Sequence, residues 1–254
     1  MLEIDDIRDI LTTITDKLYN SQNQDFYREK VAEFRGLKKE TLENIKGFYV
    51  QDPIKDILPI VGEDIFFNPV FGFYPGDNMY RERFILPVWT VDKKVMGFIG
   101  YDNLSTFRYL LSETEGFKKR TSVYGLNNIN KILDEDYLIV VEGHFDERRL
   151  FELNYPIFAL QGTAYPPFLK QLVKPLKGII HLLDKDAAGL NAVKYNRNIH
   201  KNSVVMYLPK GEDPDSYLKD VNNQVAFKEA VDEVIRYNFM KSVVILKNST
   251  KVVV

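Results

Sequence analysis

The stretch Leu138-Ile139-Val140-Val141-Glu142-Gly143-His144-Phe145-Asp146 decides the fold. Four consecutive branched apolar residues suit a strand buried on both faces, the pattern of a parallel sheet covered by helices. A carboxylate and a glycine then close the run. Two further stretches end in the same way: Gly178 to Gly189 (GIIHLLDKDAAG) and Leu208 to Asp215 (LPKGEDPD). In an open α/β sheet the carboxyl ends of the strands share one edge, where ligands bind. Acids delivered three times to one edge repel each other unless a cation stands between them. Oxygen-only donors suit Mg²⁺ or Mn²⁺, and these ions suit phosphoryl chemistry.

Working outward, strands are expected near 137–141, 156–160, 178–183 and 203–207. They alternate with helices near 145–152, 165–174, 187–200 and 223–239, which predicts a mostly parallel sheet with right-handed crossovers. The chain before them reads differently. Apolar residues at 4, 7, 10, 11, 14 and 18 have a helical period. Residues 25–34 and 38–46 predict two more helices, stopped by Gly36 and Gly47. Residues 83–91 and 95–101 flank Asp92-Lys93-Lys94 and predict a β-hairpin. Phe66, Phe67, Phe71, Phe73, Tyr74 and Tyr80 sit among turn signals, so core packing is preferred over base stacking. The expected fold class is α/β in three parts. An α+β N-terminal subdomain covers 1–131, a metal-binding domain with a mostly parallel sheet flanked by helices covers 132–220, and a C-terminal helical segment covers 221–254. The last residues, KSVVILKNSTKVVV, have strand propensity.

Composition narrows the chemistry. The 254 residues are 45% hydrophobic and contain no cysteine, so a real core is available while disulfides, thiolate zinc sites and a cysteine nucleophile are excluded. The acidic, amphipathic N-terminus is not a secretion signal, and no apolar run approaches the length of a membrane span. A cytoplasmic protein with no membrane partner is expected. Net charge is −2, yet residues 83–131 carry eight Lys/Arg against four Asp/Glu. A basic segment beside an acidic, metal-seeking one suits a polyanion, although ordinary surface charge explains it too.

Each acid has a functional and a bland reading. Glu142, at a strand end, serves as metal ligand or general acid/base, or else as an acid complementing a helix dipole. Asp146, one turn on, completes a metal shell, partners the dipole, or pairs with Arg149. Asp184 and Asp186, two apart, point to one side, and Ala187-Ala188-Gly189 opens a helix that can approach closely. Two adjacent carboxylates call for a metal or a proton. Asp213 and Asp215 flank Pro214 and are ligands or helix caps. His144 and His181 lack a partner at ligand spacing and read as structural.

The order E-G-x-x-D, D-x-D-x-A-G, G-x-D-P-D resembles the TOPRIM domain of bacterial primases, topoisomerases and some nucleases. The G-x-D-P-D-S form after Leu-Pro is similar to DnaG-type primases in particular. The resemblance extends upstream through Tyr27 to Gly47, Arg81 to Pro87, Arg108-Tyr109-Leu110, Phe117 to Gly125, and Gly162-Thr163-Ala164. It covers roughly residues 25 to 240. It implies metal ligands at Glu142, Asp146, Asp184, Asp186, Asp213 and Asp215, with Glu142, Asp184 and Asp186 catalytic. Template or nucleotide would be held by Arg83, Arg108, Lys118 and Lys119. Arg108 stands where the family has Lys, Leu111 where it has Asn, and Tyr101 where it has Arg. The family's zinc module and helicase-binding domain find no counterpart, so the likeness is to the catalytic core alone: either other chains supply those functions, as in a phage or mobile element, or the chain has drifted to another role.

The activity so implied is DNA primase: nucleotidyl transfer from NTPs to make short RNA primers on single-stranded DNA. Partners would be the template, NTPs, a replicative helicase and a separate zinc-bearing subunit. No zinc is expected in this chain. A metal-dependent TOPRIM nuclease and a non-catalytic replisome subunit are the alternatives.

Overall fold

The structure, a computed structural model, describes residues 2–73, 80–105, 108–112, 117–118, 121–240, 243–247 and 250–253. The chain forms two compact units, Met1–Lys119 and Arg120–Val254. The expected boundary after 131 therefore lies earlier. Tyr124 pairs with Ala159, and Val123, Ile129 and Ile132 enter the second unit's core, so residues 121–131 belong to the second unit.

The first unit begins with α1 (Ile4–Tyr19), α2 (Gln24–Arg35) and α3 (Lys39–Glu43). Then come β1 (Phe48–Val50), the short helices α4 (Pro53–Asp56), α5 (Leu58–Val61) and α6 (Glu63–Phe66), β2 (Arg83–Trp89), β3 (Val95–Tyr101) and β4 (Tyr109–Leu111). The antiparallel sheet runs β1-β2-β3-β4. Ile7, Leu11, Ile14 and Leu18 of α1 are all buried against Phe48, Ile85, Val95 and Phe98. At roughly 1.5–3 kcal/mol per buried aliphatic side chain, this stripe is a main source of the unit's stability. Phe66, Phe71, Phe73 and Tyr80 fill the same core, as expected, while Phe67 is half exposed and Tyr74 lies outside the described residues. Gly36 ends α2 at φ 66°, where a side chain would be strained.

The second unit continues through α7 (Ile129–Glu135), β5 (Tyr137–Val141), α8 (His144–Glu152), β6 (Ile157–Ala159) and α9 (Leu169–Val173). It goes on with β7 (Gly178–His181), α10 (Ala187–Asn196), β8 (Ser203–Tyr207), α11 (Pro214–Tyr217), α12 (Val221–Arg236), β9 (Val243–Lys247) and β10 (Thr250–Val253). The sheet order is β10-β9-β8-β7-β5-β6. The five strands from β9 to β6 are parallel and β10 is antiparallel to β9. All residues of β5, β6 and β7 are buried, as a helix-covered parallel sheet requires. The C-terminal segment expected to be helical is helical only through α12. Its branched residues Val243, Val244, Ile245, Val252 and Val253 then favour extended backbone and lengthen the sheet. No described helix is long and apolar enough to cross a membrane.

Candidate functional site

The carboxyl edge of the second unit's sheet gathers the acids. Glu142 follows β5, and its Oε1 accepts the Asp184 backbone N–H at 3.0 Å, joining the end of β5 to the segment after β7. Asp186 caps α10, its Oδ1 accepting the Gly189 N–H at 2.8 Å. A Cβ on Gly189 would stand 2.1 Å from the Asp184 carbonyl oxygen and 2.8 Å from Glu142 Oε1, so glycine is what lets α10 press against both acids. Asp213 caps α11 by accepting the Ser216 N–H at 2.7 Å. Asp184, Lys185, Asp186, Gly211, Glu212 and Asp213 line a cleft of about 230 Å³. The capping reading of Asp186 and Asp213 is thus what the structure shows, and both capping residues also line the cleft.

Asp146 and Asp215 are placed differently. Asp146 is 8% exposed and spans two motifs: Oδ2 accepts the Gly143 N–H at 3.0 Å and Oδ1 accepts the Asp215 N–H at 3.1 Å. The buried Asp215 carboxylate takes Arg149 Nη2 at 3.0 Å and Nε at 3.2 Å. Arg149 therefore serves Asp215 rather than Asp146. This pair and its arginine set the position of the D-P-D turn relative to α8, while Glu142 and Asp184 are partly exposed and Asp186 and Asp213 are exposed.

The electrostatics follow from that crowding. Burial, then Asp213, Asp184 and Asp215, push Asp146 up to about 8. Burial, then Asp213 and Asp186, raise Asp184. Among the described residues, no three acids or histidines converge closely enough to clasp an ion as they stand. The donor set nevertheless fits a hard divalent cation: every donor is a carboxylate oxygen, and mutual repulsion raises the cluster's affinity for positive charge. Glu142, Asp184, Asp186 and Asp213 are the residues placed to hold one.

Two features of this edge escape a reading of the sequence. Glu147 and Arg148 form a bidentate pair with both side chains fully buried, and Asn128 Nδ2 donates to the same carboxylate at 3.2 Å. Arg148 also lies against the rings of Phe151 (4.5 Å) and Tyr124 (5.5 Å). Gly125, at φ 95°, approaches so closely that a Cβ would stand 2.6 Å from Glu147 Oε1. A run such as DERR normally reads as a solvated face, and the only pointer inward is the glycine of Tyr124-Gly125-Leu126. The other feature is the loop after β6. Leu160 N donates to Val141 O at 2.9 Å, Gly162 N donates to Glu142 O at 3.2 Å, and Tyr165 Oη meets His181 Nδ1 at 2.6 Å. The loop thus crosses the end of β5 and anchors on β7. Burial lowers His181 to about 4, so the ring is neutral and structural.

The basic candidates belong to the first unit. Arg83, at the start of β2, is 7% exposed and donates to Ser105 Oγ at 3.2 Å; burial lowers its pKa and Asp102 opposes that shift. Arg108 and Lys118 are exposed. Lys119 lies outside the described residues.

Residues 139–218 match a family model described as Toprim-like. The chain is 32% identical over 167 residues to a DNA primase of Clostridium acetobutylicum, covering 62% of this chain and 28% of that one. It is 30% identical over 167 residues to the DNA primase of Aquifex aeolicus, covering 62% of this chain and 33% of that one. The chain thus spans a third or less of either primase. Among solved structures, a DnaG primase catalytic domain bound to ssDNA matches with TM-score 0.72 and 25% identity, over 89% of this chain and 79% of that one. The Escherichia coli primase catalytic core matches with TM-score 0.74 and 23% identity, over 91% and 83%.

Proposed function

We propose that the chain is a DnaG-type primase core built around a TOPRIM-like domain, and that it makes short RNA primers on single-stranded DNA by nucleotidyl transfer. The observation that carries this reading is the meeting of Glu142, Asp184, Asp186 and Asp213 at one sheet edge, in the order the family's motifs require. Divalent cations held there would offset the carboxylate charge and draw electron density from the triphosphate oxygens. The chain's own work is to present those carboxylates on rigid strand ends and helix caps. Asp146 and Arg149 hold the D-P-D turn so that Asp213 faces Asp184. Glu142 acts as ligand or as the base that takes the proton from the primer 3′-hydroxyl while the new P–O bond forms and pyrophosphate leaves. Arg108 and Lys118 supply positive charge for template or triphosphate phosphates. A replicative helicase and a separate zinc-bearing subunit are the protein partners this reading expects, in the cytoplasm of a bacterium or a phage-infected host.

The test is synthesis on single-stranded DNA with labelled NTPs and Mg²⁺ or Mn²⁺. Short RNA from the parent, lost in Asp184→Ala and Glu142→Gln, is the expected result. If the parent makes no RNA but degrades labelled DNA when NTPs are omitted and metal is present, the nuclease reading replaces this one.

A further inference from the structure

A second cleft of the second unit has none of the clustered acids in its lining. It has a volume of about 520 Å³ and is bounded by α10, the turn at 197–199, β8 and the residues Phe239, Met240 and Val243. Lys194, Arg197 and Lys201 line it, and among the described residues no Asp or Glu does. All three cations are exposed, and none is ion-paired among the described residues. The sequence around them is one-sided: residues 187–211 contain Lys194, Arg197, Lys201 and Lys210 and no acid at all. Within 194–202 (KYNRNIHKN) the remaining side chains are mostly amides and rings suited to phosphates, sugars and bases, and Tyr195 is 77% exposed.

Direction matters as much as charge. α10 starts at Asp186, which caps it in the acidic cleft, and ends beside the cations. At about 1.5 Å rise per residue, Lys194 stands about 12 Å along the helix from Asp186, and Arg197 about one turn beyond it. At about 3.4 Å per stacked nucleotide, a strand seated at the acids reaches Lys194 within about four nucleotides. The helix is therefore a ruler leading from the acidic cleft to a row of cations that serve no internal partner.

We propose that this cleft is a track for single-stranded DNA, its phosphates held by Lys194, Arg197 and Lys201 on the flank of α10. The inference rests on the primase reading for the identity of its ligand. An acidic peptide is the competing occupant, since the cleft floor includes Val193, Val205 and Met240. Asn198, His200 and Tyr207, which line the cleft together with the cations, favour a polynucleotide, because an amide and rings beside positive charge suit phosphates, sugars and bases.

The experiment is fluorescence anisotropy of the full chain with fluorescein-labelled dT20, across 50–200 mM salt and without NTPs. The ladder variant Lys194→Ala/Arg197→Ala/Lys201→Ala is compared with Lys170→Ala/Lys174→Ala/Lys228→Ala, which changes net charge equally elsewhere on the unit. At about 0.7 per neutralised phosphate, the ladder variant should lower the slope of log K against log salt by about 2, with affinity at low salt falling about tenfold or more. The control should change the slope by much less. Ladder and control variants that bind dT20 alike, while the parent binds, overturn the inference and leave the primase reading standing. A parent that does not bind dT20 at all sinks both. A ladder effect on labelled rU20 but not on dT20 assigns the track to transcript and overturns the DNA assignment. A variant that keeps dT20 but loses a labelled (Glu-Leu)6 peptide makes the cleft a peptide site and also overturns it.

Discussion

Replacing Gly189 with alanine tests the geometry of the acidic edge at its tightest point. The added Cβ would lie 2.1 Å from the Asp184 carbonyl oxygen, 2.8 Å from Glu142 Oε1 and 3.1 Å from the Asp184 carbonyl carbon. Two of these are backbone atoms, so relief requires α10 or the segment after β7 to move by about 1 Å. Alanine is the better helix former by about 1 kcal/mol. Forcing a methyl group into a packed contact costs about 1–3 kcal/mol. The balance is a modest loss, about 0–2 kcal/mol in urea denaturation. The effect on chemistry should be larger. The same shift displaces Asp184 and Glu142 together, and a misplacement of about 1 Å at reacting groups costs on the order of 100-fold in rate. The assay pairs urea melts with initial rates of RNA synthesis on single-stranded DNA. A Gly189→Ala protein that is as stable as the parent and equally active would refute the close packing of α10 on the two acids. A large loss of stability with normal specific activity of the folded fraction would show that the contact matters to the fold and not to the site.

Three further outcomes follow from buried charges. Arg149→Met leaves the Asp215 carboxylate buried without its cation and should destabilise the protein by about 3–5 kcal/mol in urea; equal stability would sever the link drawn between α8 and the D-P-D turn. Arg148→Met should cost a similar amount by stranding Glu147, whereas Glu147→Leu/Arg148→Met together should recover most of it; an additive double mutant would contradict a coupled pair. His181 has a folded-state pKa of about 4 against 6.5 for the free ring, so the unfolded chain binds the extra proton. Its contribution is complete above pH 6.5 and is lost as pH falls toward 4, about 2–3 kcal/mol between pH 7 and 4.5. Chemical denaturation at both pH values should show a flatter dependence for His181→Leu; identical profiles would mean that His181 does not resist protonation.

The strands that build the edge were legible because they are buried on both faces. LIVV at 138–141 and the apolar run at 178–183 have no polar alternation, and only helix-covered parallel strands read that way. The acids were legible because each one follows such a run. What the sequence hides is which acids face solvent. Asp146 and Asp215 have the same spacing as their exposed neighbours, and only the partner amides and Arg149, brought from up to 69 residues away, turn them inward. Arg83 likewise looked like a surface cation, but every residue of β2 is buried. Glu147-Arg148 was hidden for a related reason: adjacent opposite charges on a short helix are ordinary on a surface, and nothing local says that Tyr124 and Phe151 enclose them. At the C-terminus, α12 drew the helical expectation past its own end, although the branched residues after it favoured extended backbone.

The bond from the Asp215 amide to Asp146 also sets an order of events during synthesis. Its two ends lie 69 residues apart, and the Glu142–Asp184 bond spans 42. At about 5–20 residues added per second, Asp146 is added to the chain roughly 3–14 s before its partner amide exists. Helix α8 and strand β5 can form in that interval, but the carboxylate that will be buried has no reason to leave water until the D-P-D turn arrives. Parallel strands joined by long crossovers are slow to close for the same reason. The nascent second unit therefore spends its first seconds with Asp146 hydrated. The charge crowding around Asp146 is complete only once the D-P-D turn has docked.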